Sequence, residues 1–242
     1  SHEEDGKWQW LIVDLDRGFN VNNTYINLLD DLMDDYDLFQ YLLESESFKD
    51  RFIQRAAAHF SNTFNSERIT AIVDSLSNKI SLEVPRHIDR WGNEGSISSM
   101  SSWENNLEEI FQFGQNRSTF VQNQFISEFD LDGTVQVRVA IDPPESGKIL
   151  INGVPMIHPE GEGVYFKNKP VSLVAEPKPG YEFLRWDNVS DSLQIDYNCS
   201  SDTIFTAIYQ VSNEVILPDI ITEDLLLTDE HLFVIINNLT VV

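Results

Sequence analysis

One cysteine, Cys199, stands in 242 residues, so no disulfide can close within the chain and a disulfide-dense secreted scaffold is excluded. No apolar run approaches the roughly 20 residues that a bilayer-crossing helix needs. Basic residues are scarce: 16 Lys and Arg face 40 Asp and Glu, giving a formal charge of −24 and a pI near 4.3. Such a surface repels phosphate backbones and anionic headgroups, which argues against nucleic acid and membrane and for divalent cations or basic partners. A signal peptide is also missing, the chain opening on Ser1-His2-Glu3-Glu4-Asp5. With no initiating Met and an end on Leu239-Thr240-Val241-Val242 that reads as mid-strand, the expectation is a piece of a longer protein. What is present suffices for packed cores. Hydrophobic residues make up 41% and aromatics 11%, which excludes wholesale disorder.

The chain changes character near residue 130. From about 25 to 129 the pattern is helical, with few glycines and a single proline, Pro85. Ser47 reads as the cap of a helix whose Phe48, Phe52, Ala56 and Phe60 form one stripe. Ser66 reads as the cap of another, with Ile69, Ile72, Val73, Leu76 and Ile80 as its core face. Ser101 and Glu104 form a capping-box signature ahead of Trp103, Leu107, Ile110 and Phe111, and a last helix carries Phe120, Val121 and Phe125. From 133 to 210 the pattern is β. Val135, Val137, Val139 and Ile141 alternate, Ile149-Leu150-Ile151 runs into the hairpin signal Asn152-Gly153, and Val171, Leu173 and Ala175 alternate again. Tyr181 to Trp186 and Thr203 to Tyr209 supply further strands, five or six in all. The expected class is α+β and multidomain: a helical region over 1–130, a small all-β module over 131–210, and the start of a further β-rich module or a tail over 211–242.

Chemistry concentrates near the start. Residues 7–13 (Lys-Trp-Gln-Trp-Leu-Ile-Val) read as a buried strand that runs into Asp14-Leu15-Asp16. Carboxylates at i and i+2 of an extended chain lie on one side of it. Two hard oxygen donors there suit Mg²⁺ beside nucleotide phosphates. The acidic run from Asp30 to Asp37 reads as a solvated face, with a cation-binding surface as the sharper alternative.

Four blocks carry a resemblance. They are Trp8-x-Trp10-x-x-x-Asp14-Leu15-Asp16-x-Gly18-Phe19, Phe48-Lys49-Asp50-Arg51-Phe52, Phe64-Asn65-Ser66-Glu67-Arg68-Ile69 and Pro85-Arg86-His87-Ile88-x-Arg90-Trp91, followed by Trp103 and the Phe111-to-Phe125 stretch. In this order over some 120 residues they resemble the C-terminal part of the CotH family of secreted protein kinase-like proteins, named for spore coat protein H. The resemblance implies the mostly helical C-terminal lobe of an atypical kinase-like fold that binds ATP with Mg or Mn and phosphorylates protein hydroxyls. It makes Asp14 and Asp16 metal-binding residues, either of them the principal ligand, and offers Trp8 or Trp10 to the adenine, with packing as the competing role. The phosphate-positioning Lys and the catalytic Asp of such folds lie upstream of this segment in the family. No catalytic residue is therefore expected in this piece, which should be inert and retain no ATP or metal by itself.

Pro179-Gly180-Tyr181-x-Phe183-x-x-Trp186 and Phe205-Thr206-Ala207-x-Tyr209 resemble the divergent InlB B-repeat modules of bacterial surface proteins, small β-folds used as spacers or adhesive units. Together the two likenesses imply a bacterial extracellular or cell-surface protein, monomeric, acting on a protein substrate or binding a surface partner. The alternative is a non-catalytic surface interaction or adhesion protein on a degenerate kinase-like scaffold.

The remaining constellations are bland. No Gly-x-Ser-x-Gly elbow occurs, and Cys199 reads as an inert thiol. His59, His87, His158 and His231 lack zinc-ligand spacing. His87 reads as structural rather than as a base. Arg86 and Arg90, one turn apart, suit a structural ion pair with the acidic stretch better than phosphate. Asp130-x-Asp132-Gly133 lacks the remaining positions of a calcium loop and reads as a linker turn.

Overall fold

The computed structural model describes residues 24–35, 37–95, 97–156 and 161–212, and beyond them the strand backbone at Glu214–Ile216, Ile220–Ile221, Leu232–Val234 and Thr240–Val241. The class is α+β, a helical N-terminal region followed by a β-rich one. The helices are α1 (Leu28–Asp35), α2 (Asp37–Leu43), α3 (Glu46–Ser61), α4 (Ser66–Ile80), α5 (Val84–Trp91) and α6 (Met100–Glu128). The strands are β1 (Thr134–Asp142), β2 (Gly147–Ile151), β3 (Val154–Pro155), β4 (Gly161–Phe166), β5 (Pro170–Pro177), β6 (Tyr181–Trp186), β7 (Gln194–Asn198) and β8 (Thr203–Val211). After them, Glu214–Ile216 pairs in parallel with Leu232–Val234, and Ile220–Ile221 with Thr240–Val241.

Contacts divide the chain into two compact units. One takes Ser66–Phe120 with the start of the chain through Ile26; the other takes Asn27–Asn65 and Val121–Val242. The first unit holds α4, α5 and most of α6. Its buried hydrophobics among the described residues are Ile69 and Val84. The expected core face of α4 is buried at Ile69 and half-buried at Val73, while Ile72, Leu76 and Ile80 are 43%, 57% and 55% exposed. Helical periodicity marks an apolar stripe without saying how much of it a neighbour covers. Where α4 is covered, α6 approaches closely: a Cβ on Gly114 would lie 2.6 Å from the Ile69 Cγ2. That approach explains why one 29-residue helix runs through a glycine where the pattern suggested two helices. Its N-terminal box also sits earlier than expected. The Ser102 amide donates to the Ser99 Oγ at 3.0 Å and the Ser98 and Ser99 amides donate to the Ser102 Oγ, so Ser99 and Ser102 take the roles given to Ser101 and Glu104.

In the second unit two four-stranded sheets, ordered β4-β1-β8-β6 and β3-β2-β5-β7, share one core. Alternation dictates this. Val135, Val137, Val139 and Ile141 of β1, Ile149 and Ile151 of β2, Val171, Leu173 and Ala175 of β5, and Phe205, Ala207 and Tyr209 of β8 all point inward and are buried. Asn152 and Gly153, with φ of 51° and 73°, turn β2 into β3 as the dipeptide predicts. The irregular tail of the pattern is β6, where the register with β8 shifts between Phe183 and Arg185.

The composition break near 130 is a change of secondary structure, and packing runs across it. Ile53, Ala57 and Ala58 of α3 and Phe125 of α6 belong to the same buried cluster as the sheets, and the Phe125 ring stacks on Phe166 of β4 at 5.8 Å. Helix α3 starts at Glu46 after Ser45, two residues earlier than the Ser47 reading, and the Ser45 hydroxyl shares a hydrogen bond with Ser47 Oγ rather than capping an amide. Its buried side is Ile53, Gln54, Ala57 and Ala58, with Phe52, Ala56 and Phe60 half-buried beside it. β4 is an edge strand, and α3 supplies what a ninth strand would otherwise supply. The Ser61 hydroxyl donates to the Val164 carbonyl at 3.1 Å and accepts from the Val164 amide at 2.9 Å. Gln54 does the same for Phe166, its Nε2 donating to the carbonyl at 3.1 Å and its Oε1 accepting from the amide at 3.2 Å. An edge that is hydrogen-bonded in this way cannot template pairing with another chain.

Amide exchange should follow the contrast between the units, because opening free energy tracks buried apolar contact. Backbone amides of β1, β8 and α3 are expected to exchange orders of magnitude more slowly than those of α4 and α5. Hydrogen–deuterium exchange by mass spectrometry reads this directly. Protection of α4 equal to that of β1 would contradict it.

Candidate functional site

Asp14, Asp16, Trp8 and Trp10 lie outside the described residues, so the expected metal and adenine positions carry no geometry here. What the structure does describe is how the segment that follows them is fastened. At Thr24–Ile26 the chain meets α6, where the Arg117 guanidinium donates to the Thr24 carbonyl at 2.9 Å and to the Ile26 carbonyl at 2.7 Å. The Tyr25 ring meets Phe120 edge-on at 4.5 Å. Burial pulls the Arg117 pKa below the usual arginine range, and two carbonyl dipoles compensate the cation for the water it loses. Sequence reasoning missed Arg117. The available signal is that it is the single basic residue of α6.

Beside this anchor the first unit carries an open depression of about 430 Å³ lined by Ser66, Glu67, Thr70, Ala71 and Asp74 of α4 and by Gln115 of α6. Glu67 and Asp74 are two helical turns apart and no basic side chain lines it. Phosphate is repelled there, and hydroxyl or ammonium groups are what such walls accept. Among the described residues no group of three or more His, Cys, Asp or Glu side chains could hold a metal ion.

The other singled-out residues have local partners. Arg86 pairs with Glu83 one turn earlier at 3.0 Å, both side chains exposed. An exposed pair of this kind contributes about 0–1 kcal/mol. The Arg90 guanidinium lies 4.9 Å over the Trp91 ring. His87 is exposed on α5. His59 contacts the Thr63 hydroxyl at 3.1 Å, and burial together with the Arg55 charge lowers its pKa, so it stays neutral at neutral pH. His158 and His231 lie outside the described residues. Cys199 is fully buried and burial raises its thiol pKa, against both nucleophilic and redox roles. Asp130 and Gly133, with φ of 48° and 98°, turn α6 into β1, and Asp132 accepts from Asn168 at 2.8 Å, which is linker-turn behaviour.

No helix among the described residues is long and apolar enough to cross a membrane. A family model described as CotH kinase protein matches residues 1–121. No curated protein and no solved structure matches the chain. The matched stretch includes α1 to α3, so family residues contribute directly to the core of the β-rich unit.

Proposed function

The chain belongs to the CotH kinase protein family, and from that premise we propose that it takes part in transfer of the ATP γ-phosphoryl group to protein hydroxyls at a bacterial surface or outside the cell. The observation that carries the reading is the family match over residues 1–121, which contain Asp14-Leu15-Asp16. Two carboxylates at that spacing are the hard-oxygen donor set that Mg²⁺ or Mn²⁺ takes. When bound, the ion would neutralise charge on the β- and γ-phosphates. Trp8 and Trp10 offer flat apolar surface for the adenine. Arg117 contributes by position, holding the Thr24 and Ile26 carbonyls.

The β-rich part we read as a spacer or adhesive module similar to InlB B-repeats. In support, Trp186, Phe205 and Tyr209 of the likeness-carrying motifs are buried in its core. A second reading, a non-catalytic surface interaction protein, is favoured by the carboxylate-lined depression of the helical unit.

Calorimetric titration of Mg²⁺ and Mn²⁺, with and without ATP, into the chain and into the Asp14→Ala/Asp16→Ala variant tests the first. No ATP binding is expected of this chain by itself; metal-dependent nucleotide binding that the variant weakens about tenfold or more, about 1.4 kcal/mol, would show that Asp14 and Asp16 form a working half-site. Equal binding by both proteins would remove Asp14 and Asp16 from the site. Silent titrations would leave the kinase reading resting on the family match.

A further inference from the structure

The chain enters the β sandwich through β1 and leaves it through β8, and these strands lie side by side and parallel in the middle of one sheet. Their register runs from Val137 opposite Thr203 to Asp142 opposite Ile208. Parallel strands at entrance and exit have a mechanical consequence. Tension on the flanking chain drags β1 and β8 in opposite directions along their own axes. Their evenly spaced hydrogen bonds then bear the load together and must fail together. Strands pulled apart from one common end instead release their bonds one after another.

The surroundings favour the first behaviour. β4 flanks β1 and β6 flanks β8, so neither strand offers an open edge to water. On the inner face Val137, Val139, Ile141, Phe205, Ala207 and Tyr209 are buried. A one-residue slip of β1 past β8 would turn Val137, Val139 and Ile141 away from the core, because successive side chains of a strand point to opposite faces.

We propose that the sandwich is a force-bearing element whose β1–β8 pair is the clamp, carrying tension between the segments that precede and follow it. The inference rests on strand pairing and is independent of the kinase reading.

The full chain can be stretched by handles on introduced cysteines, since the buried Cys199 thiol does not compete for the label. Asp132→Cys with Gln210→Cys loads the pair along the strands; Gln136→Cys with Ser201→Cys opens it from one end. All four positions are exposed. At equal loading rate the lengthwise rupture force should exceed the peeling force several-fold, since forced unfolding is governed by the barrier along the pulled direction. Rupture should release the 78 residues between handles (210 − 132) in one step, a contour of about 260–280 Å less the folded separation. A second lengthwise pair, Glu128→Cys with Ser212→Cys, repeats the measurement should the first not fold. Equal forces in the two geometries, or release in several small steps, would overturn the proposal.

Discussion

Replacing Gln54 by Leu is expected to destabilise the β-rich unit by about 3–5 kcal/mol, far more than its place on a helix suggests. The Gln54 amide is 1% exposed and fully committed. Its Nε2 donates to the Phe166 and Lys169 carbonyls at 3.1 and 3.0 Å, and its Oε1 accepts from the Phe166 amide at 3.2 Å. Leucine fills the space and leaves three backbone groups under the helix without partners, each costing about 1–3 kcal/mol. Gln54→Glu separates hydrogen bonding from volume. An ionised carboxylate would still accept from Phe166 but would face two carbonyls it cannot satisfy, so its folded pKa rises above the unfolded value. The stability of that variant is then greatest below the unfolded glutamate pKa and falls as pH rises through the folded one. Urea unfolding of the wild type, Gln54→Leu and Gln54→Glu across pH 4 to 8 measures all of this. A Leu variant within 1 kcal/mol of wild type would mean that the edge of β4 finds other partners.

This dependence on one amide also explains what the sequence discloses and what it hides. β1, β5 and β8 are legible because each alternates strictly and each is buried on one face, the condition under which period two is enforced. Asn152-Gly153 is legible because a two-residue turn with both φ positive admits few other residues. β4 is not, since Gly161 and Gly163 weaken the strand signal and its outer edge is completed by side chains more than a hundred residues away. Gln54 and Ser61 look like the solvated positions of an amphipathic helix, and only the tertiary partner shows that they are its most constrained ones. The same holds for Arg117, an ordinary polar residue by sequence whose role is to hold two carbonyls. Of the candidate site, the spacing of Asp14 and Asp16 is legible as chemistry. The exposed stripe of α4 shows the converse limit, a periodicity that is present without being covered.

A fragment of residues 131–212, cut where the composition changes, is expected to be unfolded or aggregated, although it holds all eight strands of the two sheets. Ile53, Ala57, Ala58 and Phe125 are 0–3% exposed in the core shared with those sheets. Losing them removes about 1.5–3 kcal/mol for each large side chain and about as much for the two alanines together, or roughly 5–9 kcal/mol. The hydrogen bonds of Gln54 and Ser61 go with them, as does the Lys169–Asp50 ion pair at 2.6 Å, half-buried on both sides. Against a typical domain stability of about 5–15 kcal/mol, that sum is enough to decide the outcome. The freed amides of Val164 and Phe166 would also present an open strand edge, the feature that promotes strand-to-strand association. Circular dichroism and size-exclusion chromatography of the fragment beside the full chain check the expectation, and a synthetic peptide of residues 44–63 supplies the control. Added in trans, it should recover part of the folded signal, whereas a peptide carrying Gln54→Leu and Ser61→Ala should not. A fragment that folds cooperatively and stays monomeric without the peptide would show that the helix decorates the sandwich. Recovery by the first peptide alone would show that it completes it.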